Sequence, residues 1–494
     1  MRSFIPIFSI LSLFSGGVVM ASEPKTIKTY MSFGIPVDPA NIKTLVDLDL
    51  SYALAATLID WTDSRTLKEG LAKAVDGTSG DKLEKVISFQ LRPKAKWSDG
   101  TKISAEQVVR SFNRAKKLHG GDLKSLFEMI ETIEAKGESA IEFKLNRPVA
   151  LSQIHHKLTE PMYGVVYVKA DGQTDLSKSS GPFSLSTESK EELTLIANPH
   201  WFGREAGMAD QIVIRQPKSK STADQDDFAG DSWPNIVAST SLMPKEVSAR
   251  YEKEHFSIWN RNLDRVFFFS PGPKLANTEG RALFQALNQK FDRDLLTRGL
   301  SGFRLNLQFF PPGYVIYDPE FALSAKNAEI PSQFKRQPLE FLGAEGRLSS
   351  VLQVNISAAI KSLTGHTPKF TLVPLSKFNQ ARAEGKYDIL VASLPVNDPN
   401  VEGAVSFYFG MTPPLIPNSG EGSGDFIKRT TEARSHAEPK RNAEYRRVFT
   451  QAINDGCLLP LFHFSSIVIA RDGIDLSRVP TSDETVAFSK VRFK

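Results

Sequence analysis

The chain of 494 residues has a single cysteine, Cys457. That excludes an intrachain disulfide and any cysteine cluster for zinc or an iron–sulfur centre. The eight histidines are scattered except for His155 and His156, and neighbouring side chains diverge on a helix or a strand, so that pair does not make a shared metal site. An excess of one charge is missing too: 61 Lys and Arg against 56 Asp and Glu leave +5, no footprint for nucleic acid or an anionic membrane. His-Glu-x-x-His, Gly-x-Ser-x-Gly and Walker A motifs are absent. Ser-x-x-Lys occurs at Ser22, Ser79 and Ser332 without the motifs that accompany it in lactamases. Beyond the first 22 residues no run approaches a membrane span.

That leading segment has one positive charge at Arg2, an apolar run from Phe4 to Leu13, a Gly16-Gly17 break and a small-x-small site at Val19-Met20-Ala21. This is the layout of a cleaved secretory leader over residues 1–21. With 41% hydrophobic and 10% aromatic residues, the remainder has globular composition, and its length suits two to four domains. The polar stretches 218–232 and 413–425 are expected to be surface loops.

Local patterns name the elements. Ile87, Phe89 and Leu91 alternate in a strand, the turn Trp97-Ser98-Asp99-Gly100 follows, and Ser104 with Gln107 forms a capping box that opens a helix over 105–117. A second strand over 141–145 is expected to pair with the first. Residues 183–186 and 193–198, around a charged turn, read as a hairpin. From Leu339, strands over 339–343, 369–374 and 387–393 alternate with helical patterns near 348–360 and 378–383, giving two βαβ units and a mainly parallel sheet. Ligands of such sheets bind beyond the strands' carboxyl ends, which directs attention past Ser393. A last helix carries Tyr445, Val448, Phe449, Ala452 and Ile453, and residues 467–470 form a buried strand. Tyr408 and Phe409 stand where they would line a pocket or fill the core. Cys457 reads as a small buried apolar residue.

The segment Phe89 to Ala115, FQLRPKAKWSDGTKISAEQVVRSFNRA, resembles the signature of extracellular solute-binding proteins of family 5, the peptide and nickel class serving ABC importers. Further matches keep the family's order: Val37-Asp38-Pro39, Gly181-Pro182-Phe183 with Asn198-Pro199-His200-Trp201, Phe291-Asp292-Arg293, Gly385-Lys386-Tyr387-Asp388, Asp398-Pro399 and Leu459-Pro460-Leu461. The resemblance implies an α/β fold of the periplasmic binding protein kind, with two lobes, a two-strand hinge and an inserted third domain. Lobe one would hold residues 22–58, 181–264 and 478–494, the inserted domain 59–180, and lobe two 265–477. The tryptophan turn would be structural.

The implied role is non-enzymatic: a periplasmic carrier of small solutes, peptides first among them, that hands its ligand to the permease subunits of an ABC transporter, as a monomer without cofactor, metal or nucleic acid. The resemblance maps ligand contacts onto Arg382 and onto Asn397 or Asp398, the nearest equivalents of the acid that receives a peptide's ammonium. Phe33, with Gly34 beside it, stands where some oligopeptide binders carry a second acid. A neutral Asn397 and an apolar Phe33 would weaken capture of an ammonium, so an opine, a sugar derivative, a metal chelate or haem is the alternative ligand. An exported hydrolase is the alternative of another class.

Overall fold

The computed structural model describes residues 23–494 except 32, 34–37, 41, 43–44, 62–66, 75–82, 119–123, 217–232, 240–244, 261–264, 325–326, 346, 397–400, 402–404, 406–407, 410–413, 421–423, 434–435, 437, 466 and 480–485. The leader and its cleavage site, the loop 218–232, Gly34, Asn397 and Asp398 therefore lie outside the described residues.

Strand β1 (Thr26–Tyr30) and helix α1 (Leu45–Leu54) start one body, and the chain then leaves it to build another. The second body contains β2 (Ala72–Ala74), β3 (Leu83–Leu91), α2 (Ala105–Leu118), β4 (Ile130–Lys136) and β5 (Ala140–Ala150), in an antiparallel sheet ordered β2-β3-β5-β4. The alternation in β3 buries Ile87, Phe89 and Leu91, and Ile87 faces Phe143 of β5 in register. The capping box forms in both directions: Gln107 N–H donates to Ser104 Oγ at 3.3 Å, and Ser104 N–H to Gln107 Oε1 at 3.0 Å.

The two passages joining these bodies lie side by side. Ser179 Oγ donates to the Leu54 carbonyl at 2.6 Å and Ala56 N–H to Ser180 Oγ at 2.9 Å. A Cβ on Gly181 would lie 2.6 Å from the Ala55 nitrogen, so the approach needs glycine. Asp38 and Arg114 tie the N-terminal segment to α2 of the second body: Nη1 donates to Oδ1 at 3.2 Å, Nη2 donates to Oδ2, and both side chains are largely covered. Replacing Arg114 with Leu removes this bidentate, charge-assisted pair. Urea denaturation should read a loss of about 1.5 kcal/mol, and a loss that vanished at high salt would make the pair a screened surface contact instead.

Back in the first body, β6 (Phe183–Glu188) and β7 (Glu192–Ala197) form the expected hairpin, and β8 (Gln211–Arg215) lies between β7 and β1, parallel to β1. Strand β9 (Ile236–Ser239), helix α3 (Lys245–Lys253) and β10 (Phe256–Asn260) follow. The chain then crosses to a third body through β11 (Arg265–Pro271), whose seven residues, three of them consecutive phenylalanines, are all buried. Helix α4 (Thr278–Lys290), β12 (Phe303–Leu305), β13 (Glu340–Ala344), α5 (Ser350–Thr364), β14 (Lys369–Val373), α6 (Leu375–Glu384), β15 (Ile389–Pro395), α7 (Glu438–Asn454) and β16 (Leu459–Phe464) complete it. Its six-stranded sheet runs β12-β16-β11-β15-β13-β14. The two βαβ units supply the parallel trio β15-β13-β14. Apolar residues of α4 and α5 cover one face, and those of α7 the other.

Strand β17 (Ile467–Arg471) returns to the first body, lying between β9 and β10 and antiparallel to both. The return therefore falls at Ser465, earlier than the expected boundary after Ser477, because Val468, Ala470, Ile474 and Leu476 pack in the core of the first body. The molecule thus has two α/β lobes, joined by strand crossings at β10–β11 and β16–β17, with an antiparallel domain inserted into lobe one.

Candidate functional site

Four strand ends of lobe two meet the crossings in register: Phe303 pairs with Phe464, Phe464 with Arg265, and Arg265 with Pro395. Pro395 is the carboxyl end of the parallel strand β15, where α/β sheets receive ligands. Burial changes along this strand. Ile389 to Ala392 are buried, while Ser393 to Pro395 are partly exposed. Arg265 places a buried guanidinium beside this end, with Nη2 donating to the Ser393 carbonyl at 3.1 Å and its carbon 6.0 Å from the centre of the Phe464 ring.

Lobe one offers a second pair of parallel carboxyl ends, those of β1 and β8. Beyond them Gln216 Nε2 donates to the Phe33 carbonyl at 2.7 Å. The Tyr30 ring packs on Trp233 with centroids 4.7 Å apart, and the Arg215 guanidinium lies 4.3 Å above the same indole. Sequence reasoning missed Tyr30, Arg215, Trp233 and Arg265. Strands β1 and β8 are about 185 residues apart, as in the Thr26–Gln211 pair, and no local pattern announces such a partner.

The anticipated contacts are dispersed. Phe33 is buried in the lobe-one core. Arg382 ends α6 with its side chain buried and Nη1 donating to Asn379 Oδ1 at 3.1 Å. Burial lowers the Arg382 guanidinium pKa and raises that of the Tyr387 phenol, while the contact between the two groups opposes both shifts. Arg382 and Tyr387 both precede Ile389, the first residue of β15, whereas Pro395 is the last residue of that strand. Tyr408 and Phe409 are buried among lobe-two aromatics, Tyr408 against Phe309 and Phe409 against Phe449. The Tyr408 hydroxyl donates to the Pro395 carbonyl, which brings this ring to the carboxyl end of β15.

The tryptophan turn is structural. Trp97 is fully buried, and its Nε1 donates to Gln107 Oε1 at 3.0 Å. Gly100 has φ +85°, and a Cβ there would meet the His200 ring at 3.0 Å, so two signature segments touch. Burial of Asp99 opposes its ionisation, but hydrogen bonds from Lys178 and Thr101 outweigh it and hold the carboxyl at about 2. Among the described residues no cluster of three His, Cys, Asp or Glu side chains is arranged to hold a metal, and no helix is long and apolar enough to cross a membrane. Cys457 is buried as expected, and desolvation pushes its thiol up to about 12.

Two α/β lobes joined by two strand crossings, with a domain inserted into the first, define a class of two-lobed fold. Solved structures share this architecture: the murein tripeptide binding protein MppA of Escherichia coli (TM-score 0.72, 16% identity, 96% of this chain and 99% of that one) and MoaA of A. tumefaciens R10 in complex with mannopinic acid (TM-score 0.74, 15% identity, 95% and 99%). The dipeptide-binding protein of Lactococcus lactis is 22% identical over 440 residues, covering 76% of this chain and 78% of that protein. Residues 66–331 match the description "Bacterial extracellular solute-binding proteins, family 5 Middle". The chain belongs to family 5 of the bacterial extracellular solute-binding proteins.

Proposed function

We propose that this chain is the periplasmic solute-binding component of an ABC importer, closing its two lobes around a peptide or peptide-like solute and presenting it to a membrane permease. The supporting observation is the junction: only two described strand crossings join the lobes, beside the carboxyl end of β15. Two crossings permit hinge closure, and an extended peptide can add to sheet strands by main-chain hydrogen bonds. The dipeptide-binding relative supports a peptide over other solutes. In this reading residues 1–21 are a cleaved leader, lobe one comprises 22–58, 181–264 and the chain after Ser465, the inserted domain 59–180 and lobe two 265–464. The protein acts as a monomer without catalysis. The proposed ligand contacts are Tyr408, whose hydroxyl reaches the Pro395 carbonyl, with Asn397 or Asp398 and Gly34; Arg382, Phe33 and Phe409 are proposed on the resemblance alone, since their side chains are buried in the lobes.

Thermal melting against peptide libraries tests this. A ligand at 100 times its Kd stabilises the native state by about 2.7 kcal/mol, and the melting temperature should rise accordingly. If peptides leave the melt unchanged and none is trapped in native mass spectra of the purified protein, the peptide reading falls. A second reading, a non-peptide anionic solute, is favoured by the neutral Asn397, and MoaA shows that the same fold holds mannopinic acid. For an anionic ligand, Arg382→Ala should weaken binding about tenfold or more. Unchanged affinity on titration removes Arg382 from the site.

A further inference from the structure

The small sheet β9-β17-β10 has two different faces. Ile236, Trp259, Val468 and Ala470 pack toward the lobe-one core that also holds Phe33. Val237, Ile258, Ile467 and Ile469 pack under Val247 and Tyr251 of α3. On this α3 side, beside the second crossing, a cavity of about 470 Å³ opens between the lobes. Its walls are Ser248 and Glu252 of α3, Ile258 of β10, Ser301, Gly302 and Phe303 from lobe two, and Ser465 at the crossing itself. None of the ligand contacts proposed above lines it.

Backbone hydrogen bonds draw the walls together. Lys245 N–H, at the start of α3, donates to the Gly299 carbonyl across the lobes, and Ser465 N–H donates to the Gly302 carbonyl, both at 3.3 Å. Gly302 has φ +73°, and a Cβ there would meet nothing within 4 Å, so the cavity is open on that side.

The lining chemistry is one-sided. Glu252, exposed on α3, is its one charged residue, Ser248, Ser301 and Ser465 line it, and Phe303 and Ile258 supply apolar surface. A carboxylate and an aromatic ring both attract an ammonium, hydroxyls pair with hydroxyls, and the volume lies in the range of small-ligand sites. We propose that this cavity is a second binding site, for a small hydroxylated amine of about amino-sugar size, and that its occupant sets the hinge angle. The coupling follows from the walls. Rotation about the crossings moves Ser301–Phe303 relative to Ser248 and Glu252, so an occupant binds one lobe arrangement better and shifts the population toward it. The coupling rests on the two-lobe closure reading; the binding itself does not.

The test uses the full mature chain with glucosamine as probe and glucose as the amine-free control. Calorimetry should give saturable glucosamine binding with a millimolar or tighter Kd, and glucose should bind about tenfold more weakly or worse. Glu252→Gln should lose about tenfold, and Ser248→Phe, which fills the space, should abolish binding. Small-angle scattering should show the radius of gyration shift on saturation in the wild type and not in Ser248→Phe. Absence of saturable binding overturns the site, as does equal binding by wild type and both variants. An unchanged radius at saturation overturns the coupling. A failure of peptides to bind would count against the cleft reading and leave these outcomes intact.

Discussion

Trp97→Ala should cost the protein about 3–5 kcal/mol, the range for emptying a buried aromatic site. The indole is fully buried, meets the Tyr167 ring edge-on at 5.4 Å, and donates to Gln107 Oε1. The same oxygen accepts from Ser104 N–H in the capping box of α2. Truncation therefore opens a cavity and loosens the residue that starts the helix. Trp97→Phe should cost less, since a ring remains, but it leaves Gln107 one partner short. Chemical denaturation followed by circular dichroism reads both variants. A Trp97→Ala loss below about 1 kcal/mol would falsify the assignment of this turn to the core, because it is what an exposed site loses.

His463 should make the protein acid-labile in a defined window. It lies on β16 at 0% exposure, with Nε2 2.9 Å from the Phe309 carbonyl oxygen. Desolvation holds its pKa at about 4 against an ordinary 6.5, although the Phe309 contact works in the opposite direction. The native state thus keeps this imidazole neutral at a pH where the unfolded chain binds a proton. Stability is unaffected above pH 6.5, falls as pH drops below 6.5, and levels off near pH 4, with a total loss of about 3 kcal/mol. Carboxylates contribute their own losses at low pH, so the informative quantity is a difference. The pH profile of the wild type minus that of His463→Gln isolates the imidazole, and a difference that stays flat from pH 7 to pH 4 rejects this account.

Short-range chemistry made much of the fold readable. The Ser104–Gln107 box, the alternation in β3 and the strand–helix rhythm from β13 to β15 each depend on neighbours within a few turns, and all three appear in the structure. Strands β1, β8, β9 and β17 were harder, because each is completed by a partner far away in the chain. The return at Ser465 was misplaced for that reason: Ile467–Ala470 reads as a buried strand, but nothing local says in which lobe it is buried. The site was legible only in part. The parallel-sheet rule supplied the end of β15, but Arg265 and the Tyr408–Pro395 contact depend on registers set by packing, and Arg382, taken from the resemblance, lies buried in α6.

Lobe one is assembled from chain that is far apart: β1 pairs with β8, β9 and β10 pair with β17, and Asp49 accepts a hydrogen bond from the Val486 amide. The inserted domain and lobe two are each contiguous. Lobe two also pairs distant strands, β11 with β16, but every strand of its sheet lies between those two, whereas lobe one needs segments from before, between and after the other two bodies. The order of events during folding is thereby constrained. The inserted domain and lobe two can become compact on their own, while lobe one stays incomplete until β17 and Val486 arrive. Until that moment β9 and β10 have open edges, and a chain held there is exposed to misassembly with its neighbours.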